Sequence, residues 1–177
     1  MLKAEERINV SKNFYLDEFI SKELYMQLVY PKTNEILLLI KEKGVNSLYL
    51  LLRNGEKIRK LINIAQFCRD RYAVSATINN WATGGERNDS GWRHPDSKVG
   101  AKLSAHKNCE AIDIVFTNLD EKEVFYDVTT NKSTFFKVGV REIEQGTYDE
   151  KTGEGWTHLS IRGYNTTVTI IPFWKKK

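Results

Sequence analysis

At 177 residues, with 41% hydrophobic and 28% charged residues, the chain has the size and composition of one ordinary folded domain that can bury a sizeable core. No run approaches the ~20 apolar residues of a membrane span, and two cysteines are too few for a disulfide framework, so both are expected as reduced thiols. A net charge of +4 is mild; it suits solubility and is weak ground for a polyanion binder.

Residues 1–71 read as the helical part of a single domain, and 72–177 as a sheet. Leu16, Phe19 and Ile20 stand at one-face spacing. Asn34 is a candidate cap for a helix from Ile36 to Lys43 that stops at Gly44, and Ser47 for one from Leu48 to Arg53 that stops at Asn54-Gly55. The clearest helix runs from Glu56 to Tyr72, where Leu61, Ile64, Ala65, Cys68 and Tyr72 make a stripe. Cys68 belongs to that stripe and is expected in the core.

Then the period changes. Tyr72 to Ile78 reads as a strand, followed by a loop from Asn79 to Gly85. Glu110 to Phe116 is a short apolar run of the buried-strand kind. Val124–Val128 and Thr134–Val140 read as a hairpin turning at Asn131-Lys132-Ser133, the second strand continuing to Glu144. Trp156 to Ile161 alternates cleanly, with Trp156, His158 and Ser160 on one face. Thr166 to Phe173 is a last strand, which Pro172 marks as an edge or an end.

One residue breaks this pattern. Asp113 sits in the middle of an apolar strand, and an unpaired carboxylate out of water costs several kcal/mol unless it is paired, hydrogen-bonded or bound to a cation. His106 lies seven positions earlier, so it must sit on the turn feeding the strand if the two are to meet. His158 supplies a third donor from a separate strand. Two imidazoles and one carboxylate leave a fourth position open, which is how catalytic rather than structural zinc is held.

The sequence resembles the M15 family of zinc peptidases, D-Ala-D-Ala carboxypeptidases and L-alanyl-D-glutamate endopeptidases that cut peptidoglycan stem peptides and recur in bacteriophages. Ser90-Gly91-Trp92-Arg93 is similar to the family's SGYR, Ser104-Ala105-His106 with Ala111-Ile112-Asp113 to its SxHxxGxAxD, and Trp156-Thr157-His158 to its W-x-H. Asn13-Phe14-Tyr15-Leu16-Asp17-Glu18-Phe19 is a fainter echo of an N-terminal FSLxEF. The resemblance covers about half the chain, roughly residues 72–161. Two positions depart from it. Cys109 stands at the family's glycine, at a cost if positive φ is needed there. Leu159-Ser160 follows His158 where several relatives have H-x-D, removing a support for the imidazole.

The resemblance implies an α+β fold whose antiparallel sheet bears Zn2+ on His106, Asp113 and His158, with helices covering the other face. Arg93 would hold a substrate carboxylate or steady the oxyanion. Glu144 is preferred as general base over Glu142 and Glu154, because it ends a strand expected beside that of His158 and resembles a glutamate some phage relatives carry before W-x-H. Cys109 is a lesser ligand candidate. His94, Asp96 and Lys98 are read as solvent-facing, and Lys175-Lys176-Lys177 as a solvated tail. The substrate would be a peptidoglycan stem peptide, with virion proteins as possible partners. The charged N-terminus lacks the h-region of a signal peptide, so the implied enzyme is made in the cytoplasm and reaches the wall through lysis, a pore or a virion. The alternatives are a catalytically inactive M15-like module of a virion and, on basicity and aromatics alone, a nucleic-acid binder.

Overall fold

The computed structural model describes residues 1–148, 151–152 and 155–172. Four helices come first: α1 (Lys22–Leu28), α2 (Thr33–Lys43), α3 (Asn46–Leu51) and α4 (Gly55–Tyr72). The expected stripe of α4 is its buried face, with Ile58, Leu61, Ile64, Ala65 and Cys68 all at 0% exposure. The two shorter helices begin earlier than expected. Asn34 lies inside α2, and Ser47 lies inside α3, where its hydroxyl donates to the Gly44 carbonyl at 2.6 Å instead of capping. α2 does stop at Gly44, whose φ of +80° suits a glycine.

The sheet has five strands in the order β1-β2-β4-β3-β5. They are β1 (Ala76–Thr77), β2 (Ala111–Phe116), β3 (Glu142–Gln145), β4 (Thr157–Ser160) and β5 (Thr169–Pro172). The expected strand from Tyr72 shrinks to β1, because α4 runs on through Tyr72 and ends on Ala73 in the left-handed region. The sheet is mixed and not wholly antiparallel: β3 and β5 run parallel, although every other pair is antiparallel. Gln145 pairs with Pro172, the last described residue of that strand; Phe173 and Lys175 to Lys177 lie outside the described residues.

The expected hairpin is wrong. Val124–Val128 and most of Thr134–Val140 are helical, in α5 (Glu121–Thr130) and α6 (Lys132–Lys137). Helix wins because the buried residues Val124, Phe125 and Val128 recur at helical spacing, while Tyr126, which a strand would put beside 124 and 128, is 55% exposed. The Asp120 carboxylate caps α5 by accepting from the Lys122 amide at 2.8 Å. α4 packs against β2, and α5 against β3 and β4, so the helices cover one face of the sheet. Ile112, Ile114, Ile143 and Leu159 face them in the core. Asp113, Glu144 and His158 alternate to the opposite face, where a cleft lies.

Candidate metal centre

Register builds this site. β2 and β4 pair so that Asp113 stands directly opposite His158, and opposed residues of an antiparallel pair share a face with Cβ atoms ~5 Å apart. His106 comes from a 3₁₀ turn, Ala105–Asn108, that leads into β2. The turn closes on Cys109 at φ +57°, with the Cys109 amide donating to the His106 carbonyl. The position where the family has glycine therefore does require the left-handed region, and the cysteine there bears a cost of about 1 kcal/mol. Its side chain is buried, and burial pushes the thiol pKa up, so it stays protonated. It is not part of the ligand group.

The segment Ser90–Arg93 braces all of this through its backbone. The Asp113 amide donates to the Ser90 carbonyl at 2.8 Å, the Arg93 amide to the His106 carbonyl at 3.1 Å, and His106 Nδ1–H to the Gly91 carbonyl at 3.0 Å. The segment is itself clamped to the N-terminal region, since the Trp92 amide donates to Phe19 O and the Ser21 amide to Trp92 O. A Cβ on Gly91 would lie 2.3 Å from Phe19 O, so only glycine fits between the two chains.

Three donor atoms converge. His158 Nδ1 lies 2.7 Å from Asp113 Oδ1, His106 Nε2 lies 3.2 Å from the same oxygen, and the two ring nitrogens are 3.3 Å apart. All three residues are buried, and their donor atoms lie within 4.8 Å of one another. A carbonyl can only accept, so Gly91 O fixes the proton of a neutral His106 on Nδ1 and leaves a lone pair on Nε2. That lone pair faces the carboxylate oxygen, acceptor against acceptor, a repulsion that a proton or a cation must relieve. Burial pushes the His106 pKa down against the pull of Asp113, which disfavours the proton. A divalent cation fits: ligand bonds of ~2.0–2.1 Å in a tetrahedron place donors about 3.3 Å apart, close to two of the three distances. The group could hold a metal ion.

The other charges follow from the same burial. Burial raises the pKa of Asp113, but the two imidazoles outweigh it and hold the carboxyl well below the usual range. His158 is raised, because its bond to Asp113 and the charges of Asp113 and Glu144 outweigh desolvation. Arg93, lowered by burial, is 8% exposed. Its NH2 reaches Asp113 Oδ2 at 3.3 Å and its Nε donates to the Asp89 carbonyl. It lines the cleft and also steadies a ligand. Glu144 Oε2 stands 3.9 Å from His158 Nδ1, and burial raises its pKa.

Glu142 also lines the cleft, whereas Glu154 lies outside the described residues. His94 stands apart from the ligand group, its Nδ1 accepting from the Asp96 amide at 3.2 Å. Three supports escaped the sequence reading. Lys57 of α4 donates to Asn108 O and Glu110, pinning the His106 turn. Glu121 accepts from Thr157, next to His158. Arg162 reaches the Leu103 carbonyl at the cleft wall. Each joins residues 36 or more positions apart, a separation at which local pattern carries no signal.

The chain matches no family model, no curated protein and no solved structure. What the site can do rests on its own chemistry. The cleft, about 710 Å³, has the ligand trio, Arg93, Glu142 and Glu144 among its lining, with Leu103, Trp156 and Ile171 as apolar wall. A buried three-ligand group beside a carboxylate of raised pKa is suited to metal-assisted hydrolysis.

Proposed function

We propose that the protein is a zinc-dependent peptidase of the M15 type that hydrolyses a peptide bond in peptidoglycan stem peptides, acting at the bacterial wall after lysis or from a virion. The carrying observation is the convergence of His106 Nε2, Asp113 Oδ1 and His158 Nδ1 in the lining of a cleft that also holds Glu144. The order and spacing of Ser90–Arg93, His106, Asp113 and Trp156–His158 support the family assignment.

His106, Asp113 and His158 would hold Zn2+, which when bound would supply Lewis acidity for water and for the peptide carbonyl. Glu144 acts as the base: its carboxylate accepts the proton of the attacking water and passes it to the leaving amine. Its raised pKa suits both halves of that transfer. Arg93 orients Asp113 through its contact with Oδ2, and its place in the cleft lets it meet the carbonyl oxygen as charge develops there. His106 is held in its ligating tautomer by Gly91 O.

Metal analysis of the purified protein, together with mass spectrometry of digested muropeptides, tests this reading. About one zinc per chain and new amino groups released from stem peptides are expected, both lost in His106→Ala. Wall digestion by metal-free protein would sink the proposal. Protein that binds no metal and releases nothing favours the inactive module, in which His158 and Arg93 alone satisfy Asp113.

A further inference from the structure

The loop between β4 and β5 divides its residues between two cavities. Arg162 lines the metal cleft, while Gly163 to Thr166 line a separate groove of about 780 Å³. Lys60 of α4, Lys137 at the end of α6 and Arg141 just before β3 also line that groove, and no Asp or Glu does. Among the described residues none of these three cations forms an ion pair, whereas Arg59 and Arg71 elsewhere on α4 each have an acid.

Arg141 is already fixed. Its NH1 donates to the carbonyls of Phe136 and Val140 at 2.9 and 3.1 Å, and its guanidinium lies 3.9 Å from the Phe136 ring centroid. Little side-chain freedom remains to be lost when an anion arrives. Lys60 and Lys137 are exposed and add mobile positive charge.

We propose that this groove binds a phosphodiester-linked polymer of the poly(glycerol phosphate) type, as a docking site distinct from the metal centre. Cations from three segments, in a groove whose lining includes no acid, favour a chain of phosphates. Single-stranded nucleic acid is disfavoured, because it needs aromatic platforms for successive bases. Tyr164 is the exposed ring of the groove's lining, and Phe136 is covered by Arg141. The proposal stands on the groove alone and does not need the metal centre to be catalytic.

The test is calorimetric titration of the full chain with a glycerol-phosphate oligomer of about ten units, in about 50 mM and about 200 mM salt. Neutralising about three phosphates predicts an affinity loss of about 20-fold across that range. The K60E/K137E double variant, both sites being exposed, should bind at least about 10-fold more weakly while keeping its near-ultraviolet circular dichroism and metal content. Unchanged affinity in that folded variant overturns the proposal. So does an oligothymidylate of equal phosphate number that binds as tightly, or inorganic phosphate that competes equally at equal phosphate concentration. The salt and competition arms use the unaltered chain, so they decide the matter even if the variant fails to fold.

Discussion

Asp17 and Asp113 are both buried aspartates, at 1% and 9% exposure, and their surroundings answer them differently. Asp17 meets Arg7 through two parallel bonds, Nε to Oδ1 at 3.1 Å and NH2 to Oδ2 at 2.8 Å. One guanidinium meets both oxygens of one carboxylate there, the geometry of a strong structural pair. Asp113 has a single arginine contact at 3.3 Å and two imidazoles, one of which turns a lone pair toward it. The first arrangement holds the fold together; the second could hold a metal ion. Burial of a charge is thus no mark of function by itself.

The comparison breaks most sharply at His106. Removing that imidazole by His106→Ala should reduce peptide release to background and bound zinc to below one tenth of the normal content, as read by elemental analysis. Glu144→Gln comes next: zinc content stays near one per chain while kcat falls about 10²–10⁴-fold, and retention of activity would assign the base elsewhere. Arg7→Met should do the reverse of both. It strands a buried carboxylate at a cost of about 3–5 kcal/mol in urea unfolding, yet the folded fraction should bind zinc normally.

Glu121 sharpens the contrast as a third buried acid, at 3% exposure, met by neither an arginine nor an imidazole at bonding distance. The Thr157 hydroxyl and the Phe116 amide donate to it, and burial lifts its pKa to about 7 from the ordinary 4.5. The folded state therefore binds this proton more strongly than the unfolded chain, and the stability contributed by Glu121 declines as pH rises between those values. Relative to Glu121→Gln, the native chain should lose on the order of 1–3 kcal/mol from pH 4.5 to pH 7. A stability difference independent of pH would mean that Glu121 titrates as it does in the unfolded chain.

How much was readable beforehand varied with the range of the interaction. The face of α4 and the stop at Gly44 follow from neighbours on one helix, and both are present. The anomaly of Asp113 was visible because a strand alternates locally. Its pairing with His158, 45 positions away, could be suspected only from chemical type, since register depends on the whole sheet. The hairpin error had a local remedy: Asp120 followed by Glu123 is a helix-start signal, and the spacing of Val124, Phe125 and Val128 agrees with it. Mixed strand direction had no such remedy, because nothing within β3 or β5 states which way its neighbour runs. The steadying of Asp113 by Arg93 and the clamp of Trp92 on Phe19 were likewise invisible, being set by tertiary approach.

The direct opposition of Asp113 and His158 limits how this chain can change in length. One residue inserted within β2 or β4 would rotate a ligand toward the helices and an isoleucine or leucine toward the cleft, spoiling hydrophobic packing and ion coordination together. Insertions and deletions are therefore tolerable in the loops but not inside these strands, and divergent copies of this sequence should keep Ala111–Ile114 and Thr157–Ser160 gap-free while the loops drift in size.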